Sequence, residues 1–479
     1  MSDLTWMGGY EMAAAIRDRR ASPIEAVDAA LKRLQEVEPA INAFVTVTGD
    51  EARAEAKKAE AALMNRNKED LPPLFGVPIT VKDLTDTANV RTTYGSKAYA
   101  TNVAEKDGIN WSRLKAAGAI LIGKTTTPAF GGLGITESAL TGRTNNPWRL
   151  THTPGGSSGG AAASLAAGVA PFAWGSDGGG SVRVPAACCG VVGLKASRGR
   201  FPVDHAWESV STEGPLTRNV IDNALLLSVA AGPDARDPLS LPSTGEDFVG
   251  AVLNSPSLTG KRIAFVPAPA GANVDREVAA IVRKAVEAIG SGDRAHIEEP
   301  DLVLPDPIRY FENYWWASFL NVERDQHGNS SDDGDAVTHP VTKAFTERGK
   351  KITAAEYYHT ATTVRGDITA GYNQVFANFD LIFTPTMPVT AFPHPDRLVG
   401  GPTTINGIAV SRPSFDYHRL TESPSHAGLP AITVPCGFSE EGLPVGLQII
   451  GPLFSDLAVL SAAAAVERIL PWADRRPPL

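Results

Sequence analysis

The order of apolar and polar residues predicts helices at the start of the chain. Ser22 is followed by Pro23, and Glu25 stands three residues after Ser22. A serine N-cap, a proline in the first turn and a glutamate three residues on form a capping box, which marks the start of a helix. We therefore predict a pair of helices over residues 11–38. Residues 51–65, rich in Ala, Lys and Glu, predict another helix, and both segments are interpreted as scaffold.

Short apolar runs predict buried strands along the rest of the chain. The run Ile79–Val81 follows Gly76 and Pro78 and ends at Lys82, as a short buried strand would. Similar patterns predict strands at residues 119–122, 261–266, 380–388, 428–437 and 443–451, and helices at residues 109–117, 220–230, 275–289 and 456–469. The connection over residues 232–260, rich in Pro, Ser and Gly, is a candidate boundary to a peripheral part of the chain.

Composition and charge exclude several classes of protein. The 479 residues are 43% hydrophobic and 20% charged, which is ordinary for a globular enzyme. A formal net charge of -9 argues against nucleic acid or an anionic membrane as the main partner. Three cysteines do not form a disulfide framework, and the longest apolar run, 161–174, is too short for a membrane span. Because the first residues also lack the pattern of a signal peptide, we expect a cytoplasmic protein.

Candidate chemistry is concentrated in residues 155–185. Two serine sites lie in glycine-rich surroundings, one in Gly155–Gly160 (GGSSGG) and one in Asp177–Ser181 (DGGGS). Glycines beside a serine expose backbone N–H groups. A run of such groups can form a concavity that binds an anion, including the oxyanion of an acyl-transfer intermediate. The two sites therefore predict a nucleophilic serine, and another part of the chain must supply a base.

Lys82, at the end of the predicted strand 79–81, is a candidate base. A lysine at the end of an apolar strand is normally solvated and charged. If it is buried instead, desolvation lowers its pKa, so that the neutral amine can accept a proton. Sequence spacing alone leaves both interpretations open.

Two other motifs suggest different chemistry. Gly118–Thr125 has the letter pattern of a phosphate-binding P-loop, but its apolar strand lies between the two glycines, where a P-loop must curl. Gly155–Gly159 fits Gly-x-Ser-x-Gly, with Ser157 as the nucleophile of a serine esterase. That motif requires a strand before it, and residues 145–154 are polar and contain proline. It also requires a histidine, and none of His359, His418 and His426 has a recognisable setting.

Taken together, these segments resemble the amidase signature family over nearly the whole chain. The matching segments are Gly76–Asp83, Gly155–Gly160, Gly175–Pro185, Gly190–Lys195, Gly214–Arg218, Asp380–Pro388 and Gly428–Gly437. A single segment would be weak evidence, whereas several in the same order, with a lysine and two serines in place, are highly specific.

The resemblance implies a Ser–cis-Ser–Lys triad. Ser181 is then the nucleophile, Ser157 bridges and follows a cis peptide bond, and neutral Lys82 is the base. The backbone N–H groups of Gly178, Gly179, Gly180 and Ser181 would form the oxyanion hole. Ser158 is expected to hydrogen-bond near the lysine, and Asp177 and Arg183 to hold the loop.

The resemblance also indicates where substrate is bound, and where this chain differs. Thr127, Phe130 and Gly131 lie where the family has its acyl pocket, but the local sequence TTPAF departs from the family pattern and leaves the substrate class open. Glu422 and His426 either face the substrate channel or belong to a surface loop. The segment 300–351 is expected to influence specificity. It contains the aromatic residues Tyr310, Phe311, Tyr314, Trp315, Trp316 and Phe319.

We therefore predict an α/β protein with a mixed central β-sheet flanked by α-helices. It is expected to form one domain over residues 1–479, with N-terminal helices in 1–70, a catalytic core in 71–230, a peripheral segment on the substrate side in 231–375 and a return to the core sheet in 376–479. The predicted activity is hydrolysis of a small-molecule carboxylic amide through an acyl-enzyme, without cofactor or metal. A homodimer is left open.

Two alternatives to a stand-alone amidase remain besides the esterase. One is the glutaminase subunit of a tRNA-dependent amidotransferase, which works with partner chains. The other is a nucleotide-dependent binding protein that would use residues 118–125.

Overall fold

A mixed β-sheet of eleven strands lies at the centre of the part of the chain that the structure describes. The computed structural model describes residues 4–204, 210–254, 256–317 and 340–479. Numbered in chain order, with four short hairpin strands included, the strands are β1 (Phe44–Val47), β2 (Pro78–Lys82), β3 (Ile120–Thr125), β4 (Glu137–Ser138), β5 (Gly142–Arg143), β6 (Phe172–Asp177), β7 (Val192–Lys195), β8 (Thr212–Thr217), β9 (Arg262–Phe265), β10 (His296–Glu298), β11 (Leu381–Pro385), β12 (Thr404–Ile405), β13 (Ile408–Ala409), β14 (Ala431–Phe438) and β15 (Pro444–Ile450).

The strand order of the main sheet is β1-β3-β2-β6-β8-β7-β14-β15-β11-β9-β10. Strand β2 runs parallel to both of its neighbours, β3 and β6, and β9 runs parallel to β10 and β11. The remaining neighbours in this sheet are antiparallel. Because parallel strands end at the same edge of a sheet, the carboxyl ends of β2 and β6 lie side by side, which is where ligands bind in open α/β sheets.

Helices cover the sheet. The α-helices are Gly9–Arg17, Pro23–Ile41, Gly49–Asn65, Ile109–Ala116, Gly159–Ala166, Arg183–Cys189, Val220–Ala230, Phe248–Leu253, Arg276–Asp293, Pro307–Tyr310, Pro340–Gly349, Ala354–His359, Arg365–Phe376, Arg419–His426 and Asp456–Ile469. Two π-helical segments are Phe311–Trp315 and Thr360–Val364, and short 3-10 turns occur at Lys68–Asp70, Lys97–Tyr99, Ala129–Gly131, Pro269–Gly271 and Asp416–His418.

The predicted capping box is confirmed. The Ser22 hydroxyl accepts hydrogen bonds from the N–H groups of Ile24 and Glu25, and the Glu25 carboxylate accepts one from the Ser22 N–H. The helix Pro23–Ile41 therefore begins where the sequence predicts. Such a cap typically stabilises a helix by about 1 kcal/mol.

The core packs around the middle of the sheet. Phe172 and Trp174 of β6 are fully buried, and the Trp174 ring meets Phe201 edge to face at 5.2 Å. An aromatic pair of this kind contributes about 0.5–1.5 kcal/mol beyond its buried area. The helix Gly159–Ala166 is buried along its whole length, because its small side chains let it lie close to the sheet.

The predicted fold class is confirmed, and the predicted helices 220–230 and 456–469 have the expected bounds. The sheet also extends into the segment that was expected to be peripheral, since β9 and β10 form one of its edges. Phe319 lies outside the described residues.

Candidate active site

Lys82 is the last residue of β2, and its side chain is fully buried. Its Nζ lies 2.7 Å from Ser157 Oγ and 2.9 Å from Ser176 Oγ. Ser176 belongs to β6, the parallel neighbour of β2. The common edge of these two strands therefore brings Lys82 and Ser176 together, and Ser157 reaches the same amine from the segment that precedes the helix Gly159–Ala166.

Burial changes the protonation of Lys82. Desolvation lowers its pKa to about 7, although the carboxylates of Asp177 and Glu213 favour the charged form. A large fraction of the amine is therefore neutral at neutral pH and can accept a proton, as a general base must. Of the two interpretations of Lys82 that the sequence left open, solvated or buried, the structure shows the buried one.

An unusual peptide bond and a tightly packed glycine position Ser157. The Gly156–Ser157 peptide bond is cis, as the resemblance implies. A Cβ on Gly156 would lie 2.6 Å from the Ile135 carbonyl, which is closer than atoms pack, so only glycine fits. The helix Gly159–Ala166 begins two residues after Ser157 and fixes this segment against the sheet.

Ser181 follows β6 in a glycine loop and lines the same cavity as Ser157. The Asp177 carboxylate accepts hydrogen bonds from the N–H groups of Gly180 at 2.7 Å and Val182 at 3.2 Å. In the described part of the chain, the N–H groups of Gly178, Gly179 and Ser181 donate no hydrogen bond. Those three groups are free to bind an anion, whereas that of Gly180 is already engaged.

A buried ion pair holds the loop. Arg183 donates to both carboxylate oxygens of Asp177, at 2.9 and 2.8 Å, and to Gln448 and Ser425. Burial alone would raise the pKa of Asp177, but Arg183 outweighs it and holds the pKa below its usual value. The predicted position of Asp177 and Arg183 beside the loop agrees with this arrangement.

Ser158 hydrogen-bonds to Ser176, which contacts Lys82, and not to Lys82 itself. Its hydroxyl donates to the Ser176 carbonyl at 3.3 Å, and its N–H donates to the Ser181 carbonyl at 3.1 Å. Ser176, rather than Ser158, contacts Lys82. Sequence reasoning missed Ser176 because residues 172–177 were not recognised as a strand adjacent to β2.

A cavity of about 320 Å³ opens in front of the two serines. Its aromatic lining consists of Tyr94, Phe130, Phe311, Trp315 and Phe345. Of the residues predicted to bind substrate, Phe130 and Gly131 line the cavity. Thr127 is buried outside the lining, and its hydroxyl donates to the Pro128 carbonyl at 3.2 Å.

The helix Arg419–His426 packs against the glycine loop. Thr421 Oγ1 lies 2.7 Å from the Gly179 carbonyl, to which it donates a hydrogen bond. Glu422 lines the cavity, and it is only 1% exposed. His426 is fully buried. Glu422 and His426 therefore belong to a buried helix, and the surface-loop interpretation is wrong.

The esterase motif and the P-loop motif do not have the local structures that an esterase or a P-loop requires. Residues 145–154 form no strand before Ser157, so the strand-turn-helix of an esterase is absent there. The strand β3 runs through the P-loop pattern, and Lys124 is fully buried within it. Its Nζ donates to the Thr85 carbonyl at 2.6 Å and to the Thr92 hydroxyl at 2.9 Å. The Lys124 amine is therefore occupied by protein groups.

Comparisons with known proteins show which family the chain resembles. A model of the Amidase family matches residues 25–460. An acylamidase from Rhodococcus erythropolis is 35% identical over 478 residues, which cover 99% of this chain and 98% of the relative. One component of the glutamyl-tRNA(Gln) amidotransferase from a Cyanothece species is 33% identical over 492 residues, covering 98% of this chain and 99% of that relative. The solved structure of a bacterial aryl acylamidase superposes with a TM-score of 0.91 at 29% identity, over 100% of both chains.

The chain therefore belongs to the amidase signature family and is an amide hydrolase. In the described ranges, no helix is long and apolar enough to cross a membrane. The same residues contain no group of three or more His, Cys, Asp or Glu side chains arranged to hold a metal ion.

Proposed function

We propose that this enzyme hydrolyses the C–N bond of an amide through an acyl-enzyme on Ser181, with Ser157 and Lys82 as the proton relay. The observation that carries the proposal is the buried Lys82 amine, 2.7 Å from the Oγ of Ser157, which lines the same cavity as Ser181. A neutral amine in this position can deprotonate a serine without a histidine.

In the first half-reaction, Ser181 Oγ attacks the amide carbonyl carbon. Its proton passes to Ser157 Oγ as the Ser157 proton passes to Lys82 Nζ, which becomes an ammonium. The relay then reverses and protonates the amide nitrogen, so that the C–N bond breaks and the amine leaves. Water repeats the attack on the ester and releases the carboxylate, by the same base-then-acid logic as other hydrolytic triads.

The negative charge on the carbonyl oxygen needs hydrogen-bond donors during both attacks. The unpaired N–H groups of Gly178, Gly179 and Ser181 are the donors that we assign to this oxyanion hole. The N–H of Gly180, which the resemblance also places in the oxyanion hole, donates to Asp177 instead, so we do not assign it as a donor. One donor of this kind contributes about 2.7–4 kcal/mol to transition-state stabilisation.

The cavity favours amides with an aromatic ring. Five aromatic side chains line it, those of Tyr94, Phe130, Phe311, Trp315 and Phe345, and flat rings pack well against such side chains. The similarity to a bacterial aryl acylamidase points in the same direction. Arylamides such as benzanilide are therefore the substrate class that we propose.

The proposal is tested by benzanilide hydrolysis and by covalent labelling. Ser181→Ala is expected to lower kcat at least about 10⁴-fold, and Lys82→Ala at least about 10²-fold. The exposed Ser228, which lies on the helix Val220–Ala230, supplies the control Ser228→Ala. A phosphonate inhibitor followed by peptide mass mapping should modify Ser181. Modification of Ser157 instead, or turnover in Ser181→Ala, would overturn the assignment.

A glutaminase function has support from the related amidotransferase component. Glutamine, however, carries a carboxylate that requires a cationic partner, and no Lys or Arg is among the described residues that line the cavity. We therefore rank it second. Release of ammonia from glutamine only in the presence of partner chains, with no turnover of arylamides, would favour it.

A further inference from the structure

Negative side chains outnumber positive ones around the cavity. Asp86, Asp204, Glu213 and Glu422 line it, and His418 is the only basic side chain among the described lining residues. Carboxylates in a partly closed cavity create a negative potential, which attracts cations and repels anions.

Two of the four carboxylates contribute less to this potential. Glu213 accepts hydrogen bonds from three surrounding side chains, and burial raises its pKa. Asp204 lies 3.5 Å from the guanidinium of Arg236. Asp86 accepts a hydrogen bond from the Tyr94 hydroxyl, which is neutral. In the described part of the chain, neither Asp86 nor Glu422 pairs with a lysine or an arginine, so these two carboxylates are the main source of the negative potential.

Glu422 forms a pair with His418. The His418 Nδ1 lies 3.0 Å from Glu422 Oε1. The other ring nitrogen, Nε2, is therefore available to a different hydrogen-bond partner. His418 is only 6% exposed and lines the cavity, and Nε2 has no hydrogen-bond partner in the described part of the chain. Burial alone would raise the pKa of Glu422, but the adjacent imidazoles of His418 and His426, at 3.0 and 2.9 Å, lower it, so the carboxylate is ionised at neutral pH.

The pair lies close to the reacting groups. A Cβ on Gly179 would be 2.2 Å from Glu422 Oε1, and one on Gly134 would be 2.9 Å from His418 Cδ2. Gly131, in the same loop as Gly134, is next to Ser157. The His418–Glu422 pair therefore lies between the glycine loop of Ser181 and the loop beside Ser157.

We propose that the His418–Glu422 pair recognises a protonated amino group on the substrate. The enzyme then prefers amides that carry an ammonium group to neutral amides of the same shape, and discriminates against amides that carry a carboxylate. His418 Nε2 accepts a hydrogen bond from the ammonium, and Glu422 and Asp86 supply the opposite charge. This inference rests on the proposed function, since it concerns the same cavity.

The experiment uses benzanilides with one para substituent, –CH₂NH₃⁺, –CH₂CH₃ or –CH₂COO⁻, placed on the acyl ring in one series and on the aniline ring in the other. Turnover is measured with the wild type, and Kd by calorimetry with Ser181→Ala. In at least one series, kcat/KM and affinity should both be at least about 10-fold higher for the cationic member than for the ethyl member, and both should be lower for the anionic member than for the ethyl member.

Glu422→Gln should reduce the preference for the cationic member over the ethyl member at least about 5-fold. The exposed Glu105 supplies the control Glu105→Gln, which should leave it unchanged.

Equal Kd values within both series, or no measurable binding of the cationic members, would overturn the inference. So would an unchanged preference in Glu422→Gln. Failure of the proposed function is a separate result, because it appears as turnover that persists in Ser181→Ala, whatever the order of the Kd values.

Discussion

The environment of the Lys82 amine determines the pH range in which the proposed relay works. Its pKa is lowered to about 7, chiefly by burial. The base must be neutral, so protonation at low pH removes it and deprotonation at higher pH restores it. Two other buried lysines, Lys195 with a pKa of about 7 and Lys124 with a pKa of about 8, form no described hydrogen bond to the two serines.

We therefore expect kcat/KM to rise with pH and to level off above an apparent pKa near 7. The measurement is a profile of kcat/KM on a neutral arylamide across the neutral range. Lys195→Met should keep the same midpoint, because Lys195 donates to the Ala196 carbonyl and not to the relay. A flat profile, or a midpoint that moves with Lys195, would contradict the role of Lys82.

Ser176 provides a second prediction at this scale. Its hydroxyl is 2.9 Å from Lys82 Nζ, so it orients the amine toward Ser157. Ser176→Ala should lower kcat about 10-fold, as expected for the loss of one hydrogen bond to an ionisable group, with little change in KM. Ser158→Ala should have the smaller effect, since the hydrogen bonds described for its hydroxyl are to the main chain of Ser176. A larger loss in Ser158→Ala would show that this assignment is wrong.

At the scale of elements, the helix Arg419–His426 positions the glycine loop. The Thr421 hydroxyl donates to the Gly179 carbonyl, and a Cβ on Gly180 would lie 2.0 Å from Thr421 Oγ1. The close approach of helix and loop fixes the peptide groups that we assign to the oxyanion hole.

Thr421→Val should therefore lower kcat about 10-fold or more while KM changes little, because the donors are needed most in the transition state. Thr421→Ser keeps the hydroxyl and should restore most of the activity. Steady-state kinetics on both variants, with melting temperatures as the control for folding, test this. An equal loss in the Ser variant would indicate that Thr421 matters only for packing.

Most of the differences between the predicted and the observed elements concern strands. The sequence predicted the main-sheet strands β2, β3, β9, β11, β14 and β15 but not β1, β6, β7, β8 or β10. Strand β8 contains Gly214 and Pro215, which are unfavourable in strands by propensity. A Cβ on Gly214 would lie 2.3 Å from the Leu194 carbonyl, so close strand contact requires glycine. Tertiary packing therefore outweighs local preference at the centre of the sheet.

At the scale of the whole molecule, the Asp177–Arg183 pair joins distant parts of the chain. Arg183 reaches Gln448 on β15 at 2.7 Å and Ser425 on the helix Arg419–His426 at 2.6 Å. Both members of the pair are fully buried. Removing one partner would leave a buried charge without compensation.

We expect Arg183→Met to lower the free energy of unfolding by about 3–5 kcal/mol. The matched control is Arg236→Met, which removes surface pairs with Asp234 and Asp204 and should change the free energy by less than about 1 kcal/mol. Urea denaturation followed by circular dichroism measures both. Similar values for the two variants would contradict a structural role for the buried pair.

The sequence by itself determined the local features and the family. The capping box at Ser22, the glycine segments around Ser157 and Ser181, and the resemblance to the amidase signature depend on residues that are close in the chain. These features also produced the proposed roles of the triad, which await the experiments above.

Only the tertiary structure decided which side chains share the cavity and how burial changes their chemistry. Lys82 and Ser176 meet because β2 and β6 are parallel neighbours, and the pKa of Lys82 falls because packing excludes water from its amine. Thr421 and Glu422 come from a helix far beyond the glycine loop in the chain, and His418 from the turn that precedes it. Contacts over such distances depend on the sheet order and on helix packing, which no local pattern of residues specifies.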